Sequence, residues 1–191
     1  MEGYADIYYV QRVQAGESAC FGCLLDRYGR AVYALIVRIV RNREDAEELA
    51  QDVFLKAYKS LGNFRGESSF STWIYKIAYH AAISHVRKKK HEFLAMEEGF
   101  MENLPEEDVA GTFGEDASGA EAERLDRLDG ALARLAADER GLILLFYMKE
   151  KTIEDLVSIT GLSASNVKTR LHRIRKKLWV LLKDTEDIRH G

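Results

Sequence analysis

Apolar residues recur every three or four positions along most of this chain, which is the spacing of helices that bury one face. A first stripe covers residues 21–39, and a second covers residues 46–61. A third begins near Ser71 and continues into a run of basic residues that ends at Lys90. The pattern therefore predicts a first lobe that is helical almost throughout.

The ends of these helices carry start and stop signals. Asn42 can cap the second helix, with Asp45 three residues further on. Gly62 follows the second stripe directly, and a glycine there commonly ends a helix. Residues 63–69 contain Asn, Gly and Ser in place of a stripe, so they predict a loop before the third helix.

The periodicity fades between residues 93 and 119. This segment holds eight acidic residues, no Lys or Arg, four glycines and Pro105, the only proline of the chain. Such a composition is typical of a flexible acidic linker. We therefore expect a first domain over residues 5–92, a linker over 93–119 and a second domain over 120–185.

The second domain contains the pattern of a helix-turn-helix. An apolar stripe covers residues 122–135, and another helix is expected to follow Asp138. Thr152 and Asp155 have the spacing of a capping box at the start of a short helix. Gly161 then supplies a tight turn, and Ser163 caps a longer helix.

The outward face of that last helix indicates DNA binding. Asparagine and arginine can form paired hydrogen bonds with adenine and guanine edges, while neighbouring cations suit phosphates. A solvated basic helix in an unrelated bundle is the alternative interpretation. The candidate residues are Ser165, Asn166, Lys168, Thr169, Arg170, His172, Arg173 and Lys176.

Composition narrows the class of protein. The 191 residues are 47% hydrophobic and 31% charged, which suits a folded chain. The net charge of −3 is the sum of two basic lobes and an acidic segment between them. No stretch approaches the roughly 20 apolar residues of a membrane span, and the N-terminus lacks a secretory signal. We expect a cytoplasmic, all-α protein with no direct membrane insertion.

No catalytic or metal-binding pattern is found. Cys20 and Cys23 have CxxC spacing but no second ligand pair, so we expect two partly buried thiols. The five histidines show no metal-binding spacing, and no phosphate loop or nucleophile elbow occurs. The chain is therefore predicted to hold no cofactor and to be no enzyme.

Three motifs together resemble a known family. Residues 45–54 run from Asp-Ala-Glu-Glu to Gln-Asp-Val-Phe, and residues 161–163 are Gly-Leu-Ser. The remaining matches are Phe70, Trp73, Ile77, Ala78, Arg87, Val167, Lys168, Leu171, Arg173, Arg175 and Leu178. In this order they resemble the extracytoplasmic-function (ECF) group of sigma-70 family sigma factors of bacterial RNA polymerase. The likeness covers residues 7–182 apart from the linker.

The resemblance implies a division of labour between the domains. The first would be sigma region 2, binding core RNA polymerase and recognising and melting the minus-ten element of promoter DNA. The second would be sigma region 4, whose helix-turn-helix recognises the minus-thirty-five element. The polymerase contacts would be Asp45, Glu48, Gln51, Asp52 and Leu55. The minus-ten contacts would be Phe64, Arg65, Phe70, Tyr75, Lys76, Tyr79, His80, Arg87 and Lys88, with the aromatic rings available for stacking on unpaired bases.

Several points stay open at the sequence level. His80 stands where the family usually has asparagine, and Ser84 where it usually has aspartate, so the minus-ten preference is not carried over.

Small sigma factors of this group are commonly inhibited by an anti-sigma factor, which is therefore an expected partner. The main alternative is a self-sufficient helix-turn-helix regulator, and an all-helical enzyme is a third interpretation.

Overall fold

The computed structural model describes residues 5–96 and 119–187, and these residues form helices joined by short turns. No β-strand occurs within these two ranges, which confirms the all-α prediction. Short 3₁₀ turns lie at Ser18–Cys20 and Leu61–Asn63. The helices are α1 (Asp6–Gln14), α2 (Phe21–Val40), α3 (Arg43–Ser60), α4 (Phe70–Met96), α5 (Ala120–Ala133), α6 (Ala137–Met148), α7 (Ile153–Thr160) and α8 (Ala164–Asp187).

The first lobe (residues 5–96) contains α1–α4, and the second lobe (residues 119–187) contains α5–α8. In the first lobe α2, α3 and α4 pack against one another, and α1 lies across α2. Their apolar stripes meet in a core that includes the fully buried Leu24, Ile36 and Ile74. Asn42 caps α3 as predicted, because its side chain accepts a hydrogen bond from the Asp45 amide at 2.7 Å. Because one face of α3 packs into this core, the opposite face points to solvent.

Helix α4 is longer than the sequence predicted. It continues to Met96, so the first four residues of the expected linker are helical. Residues 91–96 contain good helix formers and no glycine, and a helix can outlast its apolar stripe when nothing stops it. Residues 97–118 of the predicted acidic linker lie outside the described residues.

The helix-turn-helix has the predicted local chemistry. Thr152 accepts a hydrogen bond from the Asp155 amide at 3.1 Å, and the Asp155 carboxylate accepts one from the Thr152 amide at 3.2 Å. Gly161 adopts the left-handed conformation with φ of 74°, which ends α7 without strain. Ser163 accepts a hydrogen bond from the Asn166 amide at 3.3 Å and so caps α8. These features confirm the expected motif.

The two lobes pack directly against each other, an arrangement that the sequence left open. Helices α6 and α7 lie on α2 and α4 of the first lobe. At the junction, Arg41 faces Asp129 at 3.5 Å, and both side chains are 5% exposed. Among the described residues, no helix is long and apolar enough to cross a membrane.

Candidate polymerase and DNA interfaces

The outer face of α3 presents the residues predicted to bind polymerase. Glu48, Gln51 and Asp52 are exposed, and Leu55 is 51% exposed although it is apolar. Tyr58, one turn further along, is 42% exposed and contacts the Phe21 ring at 5.1 Å. The sequence prediction did not include Tyr58, although the i+3 position from Leu55 shares that face.

Asp45 differs from the other predicted polymerase contacts because it already has partners within the chain. Its carboxylate accepts a hydrogen bond from Lys89 at 2.6 Å and lies 3.1 Å from His85 Nε2, both on α4. Partial burial opposes ionisation of this carboxyl group. The hydrogen bonds and charges of Lys89 and His85 outweigh it and hold the pKa of Asp45 below its ordinary value.

This pairing predicts a pH-dependent contribution to stability. The folded-state pKa of Asp45 is depressed, so the stabilisation is present above the ordinary aspartate pKa of about 4 and is lost as pH falls through the folded-state value. Asp45→Asn should lower the unfolding free energy by about 0.5–1 kcal/mol at pH 7, and this cost should shrink as the pH is lowered toward 2. Urea unfolding at both pH values tests this. An equal cost at the two pH values would contradict it.

The predicted minus-ten loop borders an open cavity. Phe64, Arg65 and Lys76 line this cavity of about 490 Å³, together with Trp73 and Ser158 from α7. The Phe64 ring is held against Trp73, with ring centroids 5.2 Å apart. Two basic side chains at an aromatic-walled cavity suit a nucleotide, since stacking and phosphate attraction can act together.

Gln14, which sequence reasoning missed, anchors the base of this loop. Its side-chain amide donates to the Leu61 carbonyl at 2.9 Å and to the Phe64 carbonyl at 3.1 Å. Because Gln14 lies about 50 residues upstream and belongs to no motif, its role could not be found without the fold. It fixes where the loop leaves α3.

Three aromatic residues predicted to stack on bases are not available for stacking in this arrangement. Phe70, Tyr75 and Tyr79 are 3%, 5% and 7% exposed. Phe70 is enclosed by neighbouring rings of the first lobe, with Phe64 at 6.2 Å. The expectation treated aromatic residues after the loop as surface groups, whereas their positions on α4 face the core and the second lobe. Burial raises the pKa of Tyr75 and of Tyr79 to about 12, and for Tyr79 the charge of Asp138 adds to this.

The remaining minus-ten candidates lie on the open side of α4. His80, Arg87 and Lys88 are exposed, and each can reach a partner outside the chain. Together with Arg65 and Lys76 they give the first lobe a basic outer surface. That surface is suited to the DNA backbone.

The predicted DNA-recognition face of α8 is open to solvent. Its exposed members are Ser165, Asn166, Lys168, Thr169, His172, Arg173 and Lys176. Arg170 is the exception, because it is partly buried and donates to Asp138 on α6 at 2.8 Å. The opposite side of α8 buries Val167, Leu171 and Ile174 in the core, which fixes this outward orientation.

A polar cluster joins the start of α4 to the start of α7. Lys151 donates to the Ser71 hydroxyl at 2.6 Å, and Thr72 donates to the Asp155 carboxylate at 2.7 Å. Lys151 also lies over the Tyr75 ring, 5.3 Å from its centroid. The partners are about 80 residues apart in sequence, so no local signal could have predicted these contacts.

The cysteines show no sign of metal binding. Cys20 is partly buried, and Cys23 is exposed because Leu24 beside it takes the core-facing position. The expectation of two partly buried thiols is therefore wrong for Cys23. Among residues 5–96 and 119–187, no group of three His, Cys, Asp or Glu side chains is placed to hold a metal ion.

Comparison with known families decides what these lobes are. The family model for sigma-70 region 2 matches residues 24–92, and the model for sigma-70 region 4 matches residues 125–178. The ECF RNA polymerase sigma factor SigW of Bacillus subtilis is 32% identical over 179 residues, covering 92% of this chain and 95% of that protein. The chain is an ECF sigma factor of the sigma-70 family. The ECF sigma-E factor of Haemophilus influenzae supports the same assignment. It is 32% identical to this chain, and the match covers 93% of this chain and 95% of that protein.

Solved structures have the same fold. The sigma factor RpoE of Bartonella quintana, solved with the anti-sigma factor NepR, superposes with a TM-score of 0.69 and 26% identity, covering 85% of this sigma factor and 96% of RpoE. CnrH, solved with the cytosolic domain of CnrY, gives a TM-score of 0.68 with 21% identity, covering 95% of this chain and 99% of CnrH. The CnrH likeness concerns the fold alone.

The family establishes the general function. This sigma factor is a transcription initiation factor that binds core RNA polymerase and directs it to promoters, and it is not itself an enzyme. The expected family and the two helical domains are confirmed. The self-sufficient regulator and the helical enzyme no longer describe the chain.

Proposed function

We propose that the sigma factor uses three separate surfaces at a promoter. The outer face of α3 docks on core polymerase through Glu48, Gln51, Asp52 and Leu55, with Asp45 joining once its pairing with α4 is exchanged. The loop after α3 and the open side of α4 bind the minus-ten element. The outer face of α8 binds the minus-thirty-five element.

The observation that carries this proposal is the presence of two exposed basic surfaces on different lobes. The first lobe exposes Arg65, Lys76, His80, Arg87 and Lys88 beside the partly exposed Phe64, and the second exposes the outer face of α8. A promoter presents two elements, and each lobe carries its own set of basic and hydrogen-bonding side chains. Phe70, Tyr75 and Tyr79 could take part only if their surroundings opened.

Binding of promoter DNA with and without core polymerase tests this division. We expect weak binding of the duplex by the sigma factor alone and specific binding of both elements when core enzyme is present. Equal and specific binding without the polymerase would contradict the proposal, because it would make α8 sufficient for recognition.

Arg173 lies on the exposed outer face of α8, where an arginine can form paired hydrogen bonds with a guanine edge. Arg173→Ala should weaken binding to the preferred minus-thirty-five sequence by about 1–3 kcal/mol and relax the preference at one base pair. Lys176→Ala serves as the comparison, since loss of a phosphate contact weakens all sequences alike and lowers the salt dependence. Competition binding by holoenzyme to a library of minus-thirty-five variants distinguishes the two. Uniform loss for Arg173→Ala would make it a phosphate contact.

We also propose an anti-sigma factor as a partner and the cytoplasm as the site of action. RpoE of Bartonella quintana, which matches most of this chain, was solved in complex with such a factor. A protein that covers α3 would block polymerase binding directly. Co-purification from the native host, with Leu55→Asp as the comparison, would identify a partner that uses this face.

A further inference from the structure

Two free cysteines lie together at the start of α2. Cys20 ends the 3₁₀ turn Ser18–Cys20 and is the N-cap residue of α2, and Cys23 follows in the first helical turn. Cys23 is exposed, and Cys20 is partly buried. They are the only cysteines of the chain, so an intrachain disulfide can join only these two. Cysteine pairs with this CxxC spacing form the redox-active dithiols of disulfide oxidoreductases.

The backbone at this position suits a bond between the two sulfur atoms. Residues three apart in an α-helix have Cα atoms about 5 Å apart, and in a 3₁₀ turn their side chains eclipse one another. A disulfide spans Cα atoms about 4.4–6.8 Å apart, so the pair lies within its range. Because Cys20 stands where the 3₁₀ turn meets α2, its side chain and that of Cys23 share one side of the helix start.

A carboxylate lies beside the less exposed thiol. The Cys20 thiol donates to the Glu17 carboxylate, with the sulfur 3.9 Å from the oxygen. Arg12 forms an ion pair with the same carboxylate oxygen and so keeps it at this position. Glu17 can therefore accept the proton of Cys20 when that sulfur attacks an oxidised partner.

Phe21 connects the cysteine pair to the outer face of α3. Its side chain is 9% exposed, and its ring meets Tyr58 with the centroids 5.1 Å apart. Tyr58 is exposed on the face of α3 that carries Leu55. A disulfide between residues 20 and 23 closes a ring around the backbone of Phe21, so it changes how this ring rests against Tyr58.

We propose that Cys20 and Cys23 form a reversible disulfide when the sigma factor meets a peroxide, and that Phe21 transmits the change to the docking face of α3. Oxidation then weakens the hold of the sigma factor on core RNA polymerase. The second half of this inference rests on the proposed role of α3 in polymerase binding.

The reaction balances with one molecule of hydrogen peroxide. The thiolate of the exposed Cys23 attacks one peroxide oxygen, so that an S–O bond forms, the O–O bond breaks and hydroxide leaves as water after taking a proton. The Cys20 sulfur, its proton accepted by Glu17, then attacks the sulfenic sulfur. The S–S bond forms, the S–O bond breaks, and the second hydroxide takes that proton and leaves as water. Two electrons pass from the sulfurs to the peroxide, and an added dithiol reverses the bond by exchange.

Mass spectrometry of the full chain tests the disulfide. After treatment with hydrogen peroxide, the wild-type protein should be a monomer, lighter by two hydrogen atoms and resistant to alkylation, and dithiothreitol should restore two thiols. Cys20→Ser is the matched variant, because serine caps a helix well but cannot resolve a sulfenic acid. It should carry an oxidised Cys23 in place of the disulfide. Wild-type protein that ends as a sulfinic acid or as a disulfide-linked dimer would overturn the pairing.

Binding of core RNA polymerase gives the functional result. The oxidised wild type should bind about two- to tenfold more weakly than the reduced form, which is the effect of losing one aromatic contact. The double variant Cys20→Ser with Cys23→Ser should bind like the reduced wild type with or without peroxide. A disulfide that forms and leaves the affinity unchanged would overturn the link to α3. Reduced wild-type protein that fails to bind would instead count against the proposed function.

Phe21→Leu separates the chemistry from its transmission. Leucine keeps the position apolar but removes the ring that meets Tyr58. The variant should form the disulfide at the wild-type rate, and its affinity for the polymerase should no longer depend on oxidation. A full oxidation-dependent loss of affinity in folded Phe21→Leu would contradict transmission through this ring.

Discussion

The double substitution of Gln51→Ala and Leu55→Asp should abolish binding to core RNA polymerase. Leu55 is half exposed at the centre of the α3 face, with Gln51 one turn before it. Burying a leucine contributes about 1.5–3 kcal/mol, and an aspartate there would have to be desolvated without a partner. We expect the affinity to fall by at least about a hundredfold.

A matched pair on α1 controls for general effects of these changes. Ile7 is 49% exposed, and Gln11 lies one turn after it on the same helix. Ile7→Asp with Gln11→Ala repeats the same chemistry on another surface and should leave polymerase binding near the wild-type value. Titration of labelled core enzyme with the three proteins provides the comparison. Equal affinity for wild type and the Gln51/Leu55 variant would refute the assignment of α3.

Removal of the Arg140 side chain should produce the largest loss of stability among the residues discussed. Arg140 is 2% exposed and donates to four backbone carbonyl oxygens. Two belong to Arg38 and Ile39 near the end of α2, and two to residues around the end of α5. Helix C-termini carry partial negative charge and unpaired carbonyls, so one guanidinium serves both ends.

Arg140→Ala leaves buried carbonyl groups without a donor and opens a cavity. We expect the free energy of unfolding to fall by about 3 kcal/mol or more, measured by urea denaturation at neutral pH. Arg134→Ala, which removes an exposed arginine from the same lobe, should cost under about 0.5 kcal/mol. Similar costs for the two variants would show that Arg140 does not support the junction.

The parts of this fold that depend on local chemistry could be predicted from the sequence. The cap at Asn42, the capping box at Thr152 and the left-handed turn at Gly161 each act within a few residues, and all three occur as expected. The sequence also predicted the outward face of α8, because that face lies opposite the buried apolar stripe. Periodicity also located α2 and α3 closely, since both bury a single face.

The packing between the lobes could not be predicted, because its determinants are far apart in the chain. Arg140 bonds to carbonyls more than 100 positions away, and a carbonyl carries no sequence signal. The same long-range packing buries Tyr75 and Tyr79, which the sequence presents as available aromatic rings. The sequence predicted the end of α4 too early. Apolar periodicity ends where the helix stops packing against the core, and the helix itself can continue beyond that point.

Run-off transcription with purified core RNA polymerase tests the proposed function most directly. The template is the DNA upstream of the gene for this sigma factor, and each protein is also assayed alone. We predict a discrete transcript only when core enzyme and sigma factor are both present. Altering either promoter element should then abolish that transcript. Specific binding of the same DNA by the sigma factor alone, with no transcript when polymerase is added, would contradict the account.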